Sequence, residues 1–225
     1  MTSPALAAAA AERAQTIRQR ADRPSQRRCA EHAGARATVR AGLSGVQVRE
    51  SGDAGGTLEF VGRATVYEQA YEMWDMFGPY TEIVTEGAGS DSLARADLDV
   101  PLVLGHDQLR RLARTSTGTL FLTESADGLD VRAPALDPAD YDVAYIAPKL
   151  RAGLVDEMSF AFRIESGQWS PDYTEYRINR YDIHRGDVAI VGYGANPYTG
   201  ASMRQPDAAP TSSRARALLE IALAR

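Results

Sequence analysis

Cysteine is all but missing from this sequence. Cys29 is the only one in 225 residues, which excludes an internal disulfide and any cysteine-rich zinc site. Lysine is as scarce, with Lys149 alone, so nearly all positive charge is arginine. Positive charge does not dominate, because the formal net charge is −5. That balance argues against a general nucleic-acid binder, which needs a positive surface to meet phosphates. No apolar run approaches the length of a membrane span. The Leu6–Ala11 run has no basic stretch before it, so no signal peptide is expected. There is no Gly-x-Ser-x-Gly elbow, which speaks against an α/β-hydrolase, and no H-E-x-x-H metal motif. What remains is the composition of a soluble globular protein, 44% hydrophobic and 24% charged, long enough for one domain with tails. The expectation is a soluble intracellular protein with no cofactor, no metal, no membrane and no specific nucleic-acid partner.

Composition divides the chain into three. Residues 1–43 are expected to be a flexible Ala/Arg-rich arm, with an Ala-rich helix from Ala5 to Ala21 that would be marginal alone. Residues 44–200 carry the ordered domain, and 201–225 form a tail with a short terminal helix. Within the domain, strands are expected at Gly45–Arg49, Thr57–Tyr67 and Glu82–Val84. The aromatic stretch from Tyr71 to Tyr80 reads as a loop packed on the core. Ser90–Ala96 reads as a short helix. Ala126-Asp127-Gly128 marks a hairpin between two strands. Asp137 followed by Pro138 opens a helix that Gly153 ends. Many short strands with two helical inserts give a mostly β (α+β) fold, a closed or nearly closed barrel decorated by helices.

Three residues stand out chemically. The stretch Val155–Glu165 alternates, with Met158, Phe160, Phe162 and Ile164 on one side and Glu157, Ser159, Ala161 and Arg163 on the other. Ser159 therefore sits mid-strand on the less apolar face, beside a small alanine that leaves its hydroxyl approachable. His106 emerges at the end of the apolar run Val100–Leu104, and Asp187 opens the apolar strand Val188–Val191. Serine, histidine and an acid are what nucleophilic acyl transfer needs. The imidazole takes the serine proton, and the acid fixes the ring and stabilises its charged form. Spacing alone does not bring the three together.

The succession of motifs resembles the tailed-phage prohead maturation protease family, whose fold is similar to herpesvirus assemblin. Phe60–Tyr67 is similar to its "G-x-A-x-x-(aromatic)" strand, and Glu82-Ile83-Val84 followed by Gly87-Ala88 to its "E-x-I…GA" segment. Val103-Leu104-Gly105-His106-Asp107 resembles "(apolar)-x-N-H-D" and Glu157–Phe162 resembles "x-x-S-(apolar)-G-F". Asp187–Val191 through Ala195-Asn196-Pro197 resembles "E-V-S-L-V…P-A-N-P". Gly105, Ala161 and Gly194 depart from the family's usual Asn, Gly and Pro.

The resemblance implies that Ser159 is the nucleophile and His106 the general base, with Asp187 as third member. Assemblin relatives use a second histidine there, which makes His184 the alternative. Residues 184 and 187 differ by an odd number and would face opposite sides of a regular strand, unless Gly186 introduces a bulge. The implied function is a procapsid serine endopeptidase in the host cytoplasm, inside the assembling procapsid. It would cut major capsid protein extensions, scaffold segments and itself, and it could form a homo-oligomer. A non-catalytic capsid-assembly protein that keeps the fold is the main rival. A metal-dependent hydrolase using His106, Asp107 and His184 is the other.

Overall fold

A run of 17 residues without proline, Glu175–Val191, forms the longest strand and the axis of the fold. The computed structural model describes residues 3–24, 28–29, 56–192 and 200–202. In chain order its elements are helix α1 (Pro4–Thr16), then strands β1 (Arg28–Cys29), β2 (Leu58–Val66), β3 (Tyr71–Trp74) and β4 (Pro79–Val84). Helix α2 (Ser90–Leu93) precedes β5 (Pro101–Leu104), β6 (Asp107–Arg114), β7 (Phe121–Ser125) and β8 (Gly128–Leu136). Helix α3 (Tyr141–Arg151) then leads into β9 (Glu157–Trp169), β10 (Glu175–Val191) and β11 (Gly200–Ser202).

The protein is mostly β, with two mixed or antiparallel sheets. The larger runs β1-β3-β4-β10-β5-β6, with β9 also on β10, and the smaller runs β11-β2-β8-β7. β10 lies parallel to β4 through Glu175–Ile178 and parallel to β5 through Val188–Ile190, and β9 flanks it antiparallel along its length. Among the described residues the pairing traces two open sheets, ending on β6 and on β7, not the closed ring expected of a barrel. The two sheets face each other across one core, to which Phe60, Leu129 and Val131 come from the smaller and Leu102, Met158 and Ile190 from the larger.

Local chemistry explains most elements and corrects some expectations. The aromatic stretch is a hairpin and not a loop: Tyr71 and Met73 point into the core from β3 and Tyr80 does so from β4. Helix α3 starts later than Asp137, because Asp140 is its N-cap and accepts from the amides of Asp142 and Val143. Asp137 instead accepts from the Ala139 amide, in the turn before it. The apolar strand expected to open at Asp187 is the end of one longer strand, β10, which carries an irregularity around His184.

The first part of the N-terminal segment is docked. Arg13 and Asp75 are both fully buried side chains and form a two-pronged ion pair, with Arg13 also donating to Gly78 O. The Arg13 guanidinium lies over the rings of Tyr80 and Trp169 at 5.2 and 5.1 Å. Beyond α1 the chain exchanges bonds with the end of β9: Trp169 N donates to Arg20 O, Arg20 Nε donates to Trp169 O, and the Trp169 indole donates to Asp22 O. The expected strand at 45–49, the Ala195-Asn196-Pro197 motif and the expected terminal helix, at 213–225, lie outside the described residues.

Candidate functional site

Position 105–106 is a two-residue hairpin loop, since Leu104 pairs with Asp107 across it. Gly105 and His106 both have positive φ, 61° and 60°. A pair of left-handed residues is the signature of the tight primed turns that match strand twist. Gly105 therefore suits the place where Asn is usual, because these two residue types enter that region most readily. A side chain there would meet nothing within 4 Å. The Gly105 amide donates to Ile190 O at 2.9 Å, which ties the turn to β10.

From this turn the His106 ring reaches β10. Its Nδ1 lies 2.6 Å from Asp187 Oδ1, where the His side chain is 38% exposed and the Asp side chain 3%. A carboxylate accepts, so Nδ1 carries a proton, and in the neutral ring this leaves Nε2 as the lone pair that a general base needs. Asp187 is buried at the start of the apolar run Val188–Val191 and still finds the partner that burial demands.

Ser159 lies on the same sheet face as Asp187. On β9 and β10 Ser159 pairs with Ala189 and Ala161 with Asp187, and cross-strand partners share a face. Ala189 pairs in turn with Val103 on β5. The face so formed carries a small apolar cluster of its own, Val103, Ala189 and Val191, apart from the main core. The opposite face carries Met158, Val188, Ile190 and Leu102 into that core. The alternation read from the sequence is thus the observed one, with Ser159 half-buried and Met158 fully buried. Among the described residues no hydrogen bond joins the Ser159 hydroxyl to His106.

His184 has other partners. Between the pairs Asp182–Arg163 and Asp187–Ala161, four residues of β10 oppose the single Phe162. Arg185 in this bulge has φ 59°, and a side chain on Gly186 would run into Ala161 O. Parity arguments do not survive such an insertion, as the glycine had hinted. The His184 Nδ1 accepts from the Asp99 amide at 3.3 Å, and Nε2 is 4.0 Å from Asp97. Its side chain is only 11% exposed, so it is not the solvated turn residue that its charged neighbours suggest. The two histidines address different carboxylates, and among the described residues no cluster of three metal-binding side chains forms.

Gln108 was not anticipated. Its Nε2 donates to Asp187 Oδ2 at 2.5 Å. Nothing in the sequence signals it, because His106 sits in the turn, where strand alternation does not relate it to residue 108. Arg110 and Arg114, members of the basic cluster after His106, are paired with Asp142 and Asp99. Arg114 and Ser116 hold the Asp99 carboxyl down to about 2.

No curated protein and no solved structure matches the chain significantly. The family model described as Caudovirus prohead serine protease matches residues 45–213, which take in the hairpin of His106, the strand of Ser159 and the strand of Asp187. The match covers well over half of the sequence and starts after the docked N-terminal helix. The chain belongs to the Caudovirus prohead serine protease family.

Proposed function

We propose that the chain is a procapsid maturation endopeptidase in which Ser159 is the nucleophile, His106 the general base and Asp187 the third member. The observation that carries this reading is the 2.6 Å contact of His106 Nδ1 with Asp187, on the sheet face that Ser159 shares. Ser159 and Asp187 are diagonal neighbours in the β9–β10 ladder, and such pairs lie about 7–8 Å apart. An imidazole fastened to Asp187 fits a gap of that size. In the reaction His106 Nε2 takes the Ser159 proton as Oγ attacks the scissile carbonyl, then returns it to the leaving amine. Asp187 keeps Nδ1 protonated and stabilises the transient imidazolium.

The substrates in this reading are capsid-protein extensions, scaffold segments and the chain itself, cut inside the assembling procapsid in the host cell. An assemblin-like arrangement, nearly closed and not a full ring, is part of the same reading, in keeping with two open sheets packed on one core. The protease domain is placed at residues 44–200 in this reading; the family match begins at residue 45 and runs on to 213.

Ser159→Ala tests the assignment. Losing one hydroxyl on a half-buried strand face leaves the fold intact, and turnover should drop by roughly 10⁴ to 10⁶. A serine-reactive phosphonate should label Ser159 and block cleavage, and a chelator should do neither. Near wild-type processing by Ser159→Ala would remove the serine mechanism. An intact wild-type chain that cuts nothing and takes no label would favour the capsid-assembly role.

A further inference from the structure

The second oxygen of the Asp187 carboxylate is held by a side chain to which the mechanism above gives no part. His106 meets Oδ1 and Gln108 Nε2 meets Oδ2, at 2.6 and 2.5 Å. The Asp187 side chain is 3% exposed, so each oxygen depends on the protein for its partner. The backbone aims Gln108 at this spot. Leu104 pairs with Asp107 and Val103 with Arg111, which leaves Gln108, Leu109 and Arg110 as extra residues in β6. A bulge of this kind turns side chains out of the regular alternation.

The amide orientation follows from what lies on either side of it. Arg111 Nε donates to Gln108 O at 2.7 Å, and Arg111 Nη2 lies 3.5 Å from Gln108 Oε1. The cation takes the amide oxygen and the carboxylate takes the amide N–H. A flipped amide would meet repulsion at both ends.

We propose that Gln108 is a positioning residue that locks the plane of the Asp187 carboxylate, so that Oδ1 stays on the His106 ring. This rests on Asp187 being the third member of the triad. Chemistry explains why a neutral amide holds this place. An arginine in direct contact would neutralise Asp187 and weaken its support of the imidazolium. With Gln108 between them, Arg111 orients the acid from one group away and leaves its charge to His106.

Gln108 is largely exposed, so its substitution should not unfold the chain. Two variants test the proposal. Gln108→Ala should lower kcat about ten- to a hundredfold, the scale of one hydrogen bond to a charged group. KM should stay within about twofold, because the Gln108 amide is turned to Asp187 and Arg111. Gln108→Glu, in a Ser159→Ala background that cannot digest itself, sets a second carboxylate against Asp187. Followed by NMR, the titration midpoint of the His106 ring should rise by about one pH unit.

A midpoint within about 0.3 units of the parent would show that residue 108 does not act on Asp187, whatever happens to kcat. A shifted midpoint with kcat of Gln108→Ala unchanged within about twofold would show a contact idle in catalysis, and also overturns the proposal. If the wild-type chain cleaves nothing, the protease reading fails. The NMR measurement then still decides whether Gln108 and His106 are coupled through Asp187.

Discussion

At the scale of single residues, the site separates two histidines that sequence alone left as rivals. His106 faces Asp187, and His184 sits in the loop of Asp97 and Asp99. Asp187→Asn presents an amide where the ring needs an acceptor, and should cost about 10² to 10⁴ in rate. His184→Ala should instead lower stability by about 1–2 kcal/mol, the cost of one lost partner for a half-buried amide, with cleavage reduced less than about tenfold. Peptide cleavage and urea denaturation of both variants check this. If His184→Ala is the more damaging to rate, a Ser/His/His arrangement is correct and Asp187 is misassigned. His106 and Ser159 were legible because each marks a visible boundary, a strand end and a small-residue face. Gln108 was not, because a polar residue on an exposed strand is the commonest thing a sequence offers. Only the bulge gives Gln108 a target.

Among elements, the helix α1 is expected, but its docking is the least foreseeable feature. An alanine-rich helix has almost no apolar face to read, and its anchor is a buried ion pair instead. Removing one partner of such a pair leaves the other charged and dry, a loss of about 3–5 kcal/mol. Arg13→Ala and Asp75→Ala should therefore each destabilise by that amount, and the double variant by much less than their sum. Both should open residues 4–23 to limited proteolysis. Additive losses in the double variant would show that the pair does not act as a unit. The elements that sequence predicted well are those fixed by local chemistry. The hairpin of β7 and β8 forms where expected, turning at Ala126-Asp127 with Gly128 as the first residue of β8, and β5 is as buried as its unbroken apolar run implies. The elements predicted poorly depend on distant partners. The bulge at 183–186 answers to the Asp99 carbonyl, which accepts the Arg185 amide. The hairpin of β3 and β4 owes its place to β10, with which β4 pairs in parallel.

For the whole molecule, acid should weaken the fold through two carboxylates. The Asp99 carboxyl is drawn down to about 2, chiefly by its bond to Arg114. Burial alone would raise Asp182, but bonds from Arg163 and Ser92 outweigh it and bring that carboxyl to about 2 as well. Groups with depressed values stabilise the fold fully above the ordinary aspartate value near 3.9 and lose that effect as pH falls through about 2. Urea midpoints of Ser159→Ala should therefore decline between about pH 4 and pH 2, and Asp182→Asn should flatten the decline. An equal slope in both proteins would remove Asp182 as a cause. The axial strand β10 has a further consequence, one of timing. It is the partner of β4, β5 and β9, it carries Asp187, and it comes after all of them in the chain. During synthesis His106 and Ser159, the base and nucleophile of the proposed mechanism, leave the ribosome before the strand that carries Asp187. A nascent chain ending before Asp187 is thus expected to be inert toward a serine-reactive phosphonate, and a labelled truncation would contradict this. Proteolytic power would then arrive only with the last strands, when the rest of the enzyme has already been made.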